Sequence, residues 1–257
     1  MPYHATKLIP KTGNPVGFPF IELPSVDSTN NYALAKVHAG MAEHGTVFFA
    51  DEQTSGRGQR GKSWTSTPGE NIIMSIVLEP VWLKVKYQFL LSMAVASACH
   101  SFLRQYVPND LSIKWPNDIY WKEKKLGGIL IENTVKGNHL VFSIAGIGLN
   151  INQKLFESWI PNPMSLTQMT GTRFEVKTLA KQLCKCLEEK YTLLINGETN
   201  LLIKEYNKHL FMKNQEAHFR KGNMKFSAVL TEVRPDGILI TRDPELALRH
   251  NEVEWIL

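Results

Sequence analysis

The chain has 257 residues, 43% hydrophobic and 21% charged, with a formal net charge of +5; it can bury a sizeable core as one large domain or a medium plus a small one, and its composition is that of an ordinary globular protein with nothing to suggest disorder. No run approaches the roughly 18 apolar residues of a membrane helix, the N-terminus lacks the apolar core of a secretory signal, and the mild charge is spread too evenly to form a nucleic-acid stripe. Cys99, Cys184 and Cys186 cannot make a paired disulfide framework, which implies a reducing compartment and, by default, the cytoplasm.

In chain order, residues 1–20 contain Pro2, Pro10, Pro15 and Pro19 and read as extended chain. Phe20–Leu23 is a predicted strand, and any of Asp27, Ser28 or Thr29 can cap a helix through Tyr32–Lys36. Strands are predicted at 46–51 and at Ile72–Leu78. Leu90 to about Gln105 is a long apolar core helix. Leu111–Trp115 leads through a turn at Pro116-Asn117-Asp118 into Ile119–Trp121, and a polar hairpin at 122–124 returns as a strand through Lys125–Glu132. Leu140–Asn150 is a further strand, whose Gly146 and Gly148 signal close approach of a ligand or another backbone.

Residues 176–195 and 201–210 carry helical periodicity. Cys184 and Cys186 fall on opposite sides of the first of these, which argues against a metal pair. The eight histidines show no ligand spacing. From about residue 213, short strands at Gln215–Arg220, Lys225–Arg234, Gly237–Thr241, Leu246–His250 and Glu252–Ile256 alternate with turns, as in a small barrel. The expected fold class is α+β: a mixed, largely antiparallel sheet with flanking helices, residues 1–211, followed by a small β-barrel, residues 212–257.

The stretch from Asp51 to Trp64 sets Gly56, Gly58 and Gly61 among Arg57, Arg60 and Lys62, with no acid after Glu52. Glycines admit close backbone approach and cations supply charge, so the stretch is an anion cradle. It matches both the dinucleotide fingerprint G-x-G-x-x-G and the phosphate loop G-x-x-x-x-G-K-S. Each requires a helix at its end to hold the phosphate, and Pro68 and Gly69 would stop one in its second turn. Glu79 stands at the offset of a ribose-binding acid but lacks that helix. A ligand-covering loop is the preferred reading over a P-loop or a functionless basic loop.

Other polar residues sit at element ends in this apolar frame: Ser28-Thr29-Asn30, Gln53, Lys114 to Asp118, Lys125 and Asn150. Each alone has a plain explanation: capping for Ser28 to Asn30, turn formation for Asn117-Asp118, a solvated hairpin residue for Lys125, core for Trp115.

Together, Gly56-Arg57-Gly58-Gln59-Arg60-Gly61-Lys62-Ser63-Trp64, Lys114-Trp115-Pro116-Asn117-Asp118, Lys125-Leu126-Gly127-Gly128-Ile129-Leu130 and Gly146-Ile147-Gly148-Leu149-Asn150 strongly resemble the signature blocks of biotin protein ligases, in the family's order. The resemblance implies a class II synthetase-like catalytic domain with an SH3-like C-terminal barrel. It implies an ATP-dependent ligase that makes biotinyl-5'-AMP with Mg²⁺-bound ATP, with no protein cage for the metal, and passes biotin to a lysine of a biotin carboxyl carrier domain.

By the same resemblance, Lys125, Arg57 and Asp118 would be catalytic, Asp118 as base for the acceptor amine. Ser28, Thr29, Asn30, Gln53, Arg57, Gly58, Gln59, Lys125, Gly127 and Gly128 would line biotin, and Arg60, Trp64, Lys114, Asn117 and Asn150 the adenylate. Gln59 stands where many members carry Arg. About 20 irregular residues precede the catalytic domain, so no helix-turn-helix repressor role is expected. Neither specific DNA nor a membrane is an expected partner, and either a monomer or a homodimer fits. A lipoate or octanoate ligase of the same fold is the main alternative.

Overall fold

The computed structural model describes residues 14–256. The extended chain expected at residues 1–20 therefore falls largely outside the described residues; from Asn14 the chain turns, and the buried Val16 donates its N–H to Glu188 Oε2 at 2.7 Å.

The main sheet comprises β1 (Phe20–Val26), β2 (Val47–Gln53), β3 (Ile72–Leu78), β4 (Leu111–Lys114), β5 (Asp118–Trp121), β6 (Lys124–Lys136) and β7 (His139–Leu149). Their order is β1-β2-β3-β7-β6-β5-β4, with β1–β2 parallel and every other pair antiparallel, as the hairpin-rich sequence predicts. Every residue of β3 is buried, because its strand is covered on both faces. Ile72, Met74, Ile76 and Leu78 join the large core beneath α2 (Phe89–Leu103) and α4 (Val176–Ile195), whereas Val77 joins the smaller cluster beneath α1 (Thr29–His38). Side chains alternate along a strand, so Ser75 must face α1 with Val77.

α3 (Leu166–Thr170), too short for periodicity to reveal, opens with a full capping box between Ser165 and Gln168. α4 supplies Leu179, Leu183, Leu187, Tyr191 and Leu194 to the core, and α5 (Thr199–Lys208) packs beside it. Both α4 cysteines are buried with Cys99 in this core, and burial pushes the Cys184 thiol up to about 12. Among the described residues no helix is long and apolar enough to cross a membrane.

The second sheet comprises β8 (Glu216–Lys221), β9 (Met224–Val233), β10 (Leu239–Arg242), β11 (Leu246–Leu248) and β12 (Glu254–Ile256), ordered β11-β10-β9-β8-β12. Its outer strands pair only inward, an open form of the small barrel. Two indoles tie it to the main sheet: Trp115 Nε1 donates to Gly237 O at 3.0 Å, and Trp255 Nε1 donates to Trp115 O at 2.9 Å. The outer edge of β4 is covered by the chain between α5 and β8, with Ile113 N–H bonded to His209 O and Phe211 N–H to Ile113 O, which hides an otherwise exposed ladder.

Candidate functional site

Register decides what faces the site. Ser75 pairs with Gly146 and Gly146 with Leu130; one row along, Ile73, Gly148, Gly128 and Asp118 are paired in turn. These rows share the α1 face of the sheet. Gly146 leaves room for Asn30, since a Cβ there would lie 2.3 Å from Asn30 Oδ1; Gly148 leaves room for Trp64, whose Cε2 would be 2.5 Å from a Cβ. The two glycines of β7 thus mark close approach by this chain's own side chains.

Ser28 occupies the N-cap position of α1 but makes no capping side-chain bond. The first-turn N–H of Thr29 instead donates to Gln53 Oε1 at 2.8 Å, and Thr29 Oγ1 lies 3.0 Å from the same oxygen. Asp27, also expected as a possible cap, accepts from Asn31 Nδ2 at 2.7 Å, and this bond is the main reason its carboxyl is held below the usual range. Ser75 Oγ lies 2.6 Å from Asn30 Oδ1 and 2.7 Å from Thr29 Oγ1. An amide oxygen can only accept, so the Ser75 proton goes to Asn30. Asn30 Nδ2 donates to Glu132 Oε2 at 2.8 Å and to Leu130 O at 3.3 Å. What the floor leaves free is specific: the Ser28 hydroxyl and the Gln53 Nε2 amide have no hydrogen-bond partner among the described residues.

The basic loop arches over this floor. No helix follows Lys62; Gln59–Gly61 is a single 3-10 turn, Arg57 bridges back to Ser63, and Gly58 N–H bonds Lys62 O at 2.7 Å. The phosphate-loop and dinucleotide readings fail on this geometry, and Glu79 is engaged elsewhere, accepting from His44 N–H at 3.0 Å. Arg57 is committed: Nη1 donates to Asn31 Oδ1 at 2.7 Å and Nη2 to Glu132 Oε1 at 3.0 Å. Arg60 and Lys62 are exposed and form no ion pair among the described residues. Arg60 holds a left-handed backbone, φ 56° and ψ 38°, a conformation that strains a side-chain-bearing residue and concentrates at functional sites. Gln59 shares the turn and accepts Lys62 N–H through its carbonyl.

On β5 and β6, Lys125 Nζ meets Asp118 Oδ1 at 2.8 Å, the two side chains 26% and 19% exposed. Gly128 sits between them and Trp64, each about a van der Waals contact from a Cβ built there, and Lys125 Nζ is 6.0 Å from the Trp64 ring centroid. Gly127 serves the sheet, since its Cβ would strike Leu149 Cδ2 at 2.4 Å and Gly148 O at 2.6 Å. The site thus joins hydrogen-bonding groups, an ammonium–carboxylate pair, an aromatic wall and two free cations, a set suited to bringing two anions together.

A model of the biotin/lipoate A/B protein ligase family matches residues 22–150, half of the chain. The chain belongs to that family. The bifunctional ligase/repressor BirA of Escherichia coli is 32% identical over 167 residues, covering 63% of this chain and 50% of that protein. The biotin–[acetyl-CoA-carboxylase] ligase of Mycobacterium tuberculosis is 31% identical over 177 residues, covering 68% and 64%. The chain thus spans between half and two thirds of the length of these curated relatives. Among solved structures, the biotin protein ligase of Aquifex aeolicus in complex with biotin and ATP superposes with a TM-score of 0.72 at 25% identity, over 93% of this chain and 95% of that one. The α+β fold with its C-terminal β-sheet is that of these biotin protein ligases.

Within this ligase-family frame three adenylate candidates lie in supporting positions. Asn117 Nδ2 donates to Ile129 O at 2.8 Å, stapling the turn before β5 to β6. Asn150 Nδ2 donates to Met164 O at 3.1 Å, and it helps hold the strap of residues 151–165 against Lys125, whose N–H bonds Asn162 O and whose carbonyl accepts from Met164 N–H. Lys114 is 8% exposed, with Nζ 4.7 Å from the Tyr120 ring centroid and 5.2 Å from that of Trp255; burial lowers its ammonium to about 8.

Sequence reasoning missed Glu132, Asn31 and Ser75, and missed the strap with its exposed Leu155 and Trp159. Ser75 had a signal, being the one polar residue in the otherwise apolar run Ile72–Leu78, where burial demands a partner. Among the described residues no cluster of His, Cys, Asp or Glu is placed to hold a metal ion.

Proposed function

We propose that the chain is an ATP-dependent biotin–protein ligase, with residues 1–211 as the catalytic unit and 212–257 as the small β domain. The observation that carries this reading is the Lys125–Asp118 pair, accompanied by a polar floor with unspent donors and a loop with two cations that are unpaired among the described residues. The Ser28 hydroxyl and the Gln53 amide are available to a ureido group, while Thr29, Asn30 and Ser75 hold the floor in place. In the first step a carboxylate oxygen of biotin attacks the α-phosphorus of ATP, the bond to the bridging oxygen breaks, and pyrophosphate leaves. Lys125 offsets the repulsion between the two anions, and Arg60 and Lys62 stabilise the charge shed onto the phosphates. Mg²⁺ arriving with ATP would supply further neutralisation of charge, with no protein cage among the described residues.

In the second step an acceptor lysine amine attacks the mixed anhydride, the acyl carbon–oxygen bond breaks and AMP leaves. Asp118, the carboxylate paired with Lys125 at 2.8 Å, serves as the base that takes the amine's proton. The acceptor is a biotin carboxyl carrier domain. Closure of the loop keeps water from the anhydride.

The test is biotin-dependent exchange of pyrophosphate into ATP, with lipoate and no-acid controls, since it needs no acceptor. Exchange with biotin alone is expected. Exchange with lipoate alone would move the chain to the lipoate branch of the family, and no exchange with either acid would overturn the reading.

A further inference from the structure

Glu132 bonds two elements that the reaction uses for different purposes. Its Oε2 accepts from Asn30 Nδ2 in the floor, and its Oε1 accepts from Arg57 Nη2 in the loop. The carboxylate is 30% exposed and Asn30 is 3% exposed, so the first bond is sheltered and the second opens toward solvent. The amide of Asn30 has no freedom to turn over, because a flip would set its oxygen against the Glu132 carboxylate and its nitrogen against Ser75 Oγ, which donates to it now. Arg57 is likewise held from two sides, by Glu132 and by Asn31, and Asn31 is fixed in turn by Asp27. A continuous run of hydrogen bonds therefore links Gln53, Thr29, Ser75 and Asn30 through Glu132 to the root of the basic loop.

We propose that Glu132 is a positioning residue that couples the floor of the site to the closure of the loop over it. It acts through its neighbours: it sets the amide of Asn30 with one oxygen and moors Arg57 with the other. The proposal rests on the ligase reading for its catalytic consequence, but its mechanical part stands without it. Glutamine at 132 has one accepting oxygen where glutamate has two, so it can serve Arg57 or Asn30 but not both.

The experiment compares Glu132→Ala, Glu132→Gln and Glu132→Asp in the full chain. Without any ligand, trypsin cleavage after Arg57, Arg60 or Lys62 is expected to quicken in Glu132→Ala and Glu132→Gln at unchanged melting temperature, and to return toward the native rate in Glu132→Asp. In biotin-dependent exchange, Glu132→Ala is expected to raise the KM for biotin about tenfold to a hundredfold, the loss of a charge-assisted hydrogen bond, with a smaller change in kcat. In an Arg57→Met background, Glu132→Gln should no longer speed loop cleavage. Native cleavage rates in both Glu132→Ala and Glu132→Gln would overturn the coupling. Faster cleavage with no biotin-dependent exchange in the unmutated chain would leave the mooring standing and remove the ligase reading instead. If Glu132→Ala melts early, Glu132→Gln, which keeps the volume, decides alone.

Discussion

Gly148→Ala tests the fit of the loop to the sheet. A Cβ at Gly148 would stand 2.5, 2.6 and 2.9 Å from Cε2, Cζ2 and Nε1 of Trp64, where ordinary contact begins at 3.4 Å. The indole must therefore move by about 1 Å, an overpacking that costs roughly 1–3 kcal/mol and, in a chain of this size, lowers the melting temperature by roughly 2–12 °C. Trp64 N–H is bonded to Gly56 O, so the displacement reaches both ends of the loop, and a shift of about 1 Å in positioning groups costs on the order of a hundredfold in rate.

Melting curves and biotin-dependent exchange measure the two effects. Trp64→Phe removes the clashing atoms, so the double variant should melt above Gly148→Ala alone, a non-additive pair expected of residues in contact. Gly127→Ala, which meets backbone at 2.6 Å, should cost more stability without this rescue. A Gly148→Ala protein with native melting and native exchange would refute the reasoning.

Lys125→Ala removes the cation that the proposed reaction sets between two anions and takes from Asp118 its ion-pair partner; exchange should fall by roughly a hundredfold to a thousandfold, checked by initial rates, while circular dichroism stays native. Arg60→Gly relieves a left-handed backbone worth about 1 kcal/mol but deletes a free cation, so thermal stability should hold or rise slightly while the KM for ATP increases; steady-state kinetics beside calorimetry separate the two. His100 is buried, stacked 4.0 Å from the His209 ring, and held to about 4 by burial and by that neighbouring histidine. The unfolded chain binds this proton near 6.5, so stability present above pH 6.5 is lost as pH falls toward 4, by roughly 3 kcal/mol in all. Urea midpoints across that range should flatten in His100→Phe.

The hairpins from Leu111 to Leu149 and the helix at 176–195 were legible because periodicity and turn residues agree there with tertiary packing. Lys125 and Asp118 were named from their blocks, and the structure puts them in one ion pair. Glu132 escaped notice because a charged residue late in a strand reads as a solvent-facing position, and its two partners, Asn30 of α1 and Arg57 of the basic loop, come from distant parts of the chain. The sequence gives no sign that Arg57 pairs with that same glutamate, an ion pair between residues 75 apart, while Arg60 and Lys62 form no ion pair among the described residues. The strap at 151–165 carries no period at all; it is ordered by Asn150 and by the main chain of Lys125, contacts that no local pattern encodes.

The seam at Trp115 gives the molecule a single thermodynamic identity. Because the indoles of Trp115 and Trp255 each bond across it, and Lys114 is shielded from water by rings of both sheets, loosening the small sheet would expose a buried ammonium's surroundings and release the turn that begins at Pro116 and sets Asp118. The two sheets are therefore expected to melt in one calorimetric transition. Removing residues 212–257 would act less like trimming an accessory and more like unpinning the hinge of the carboxylate.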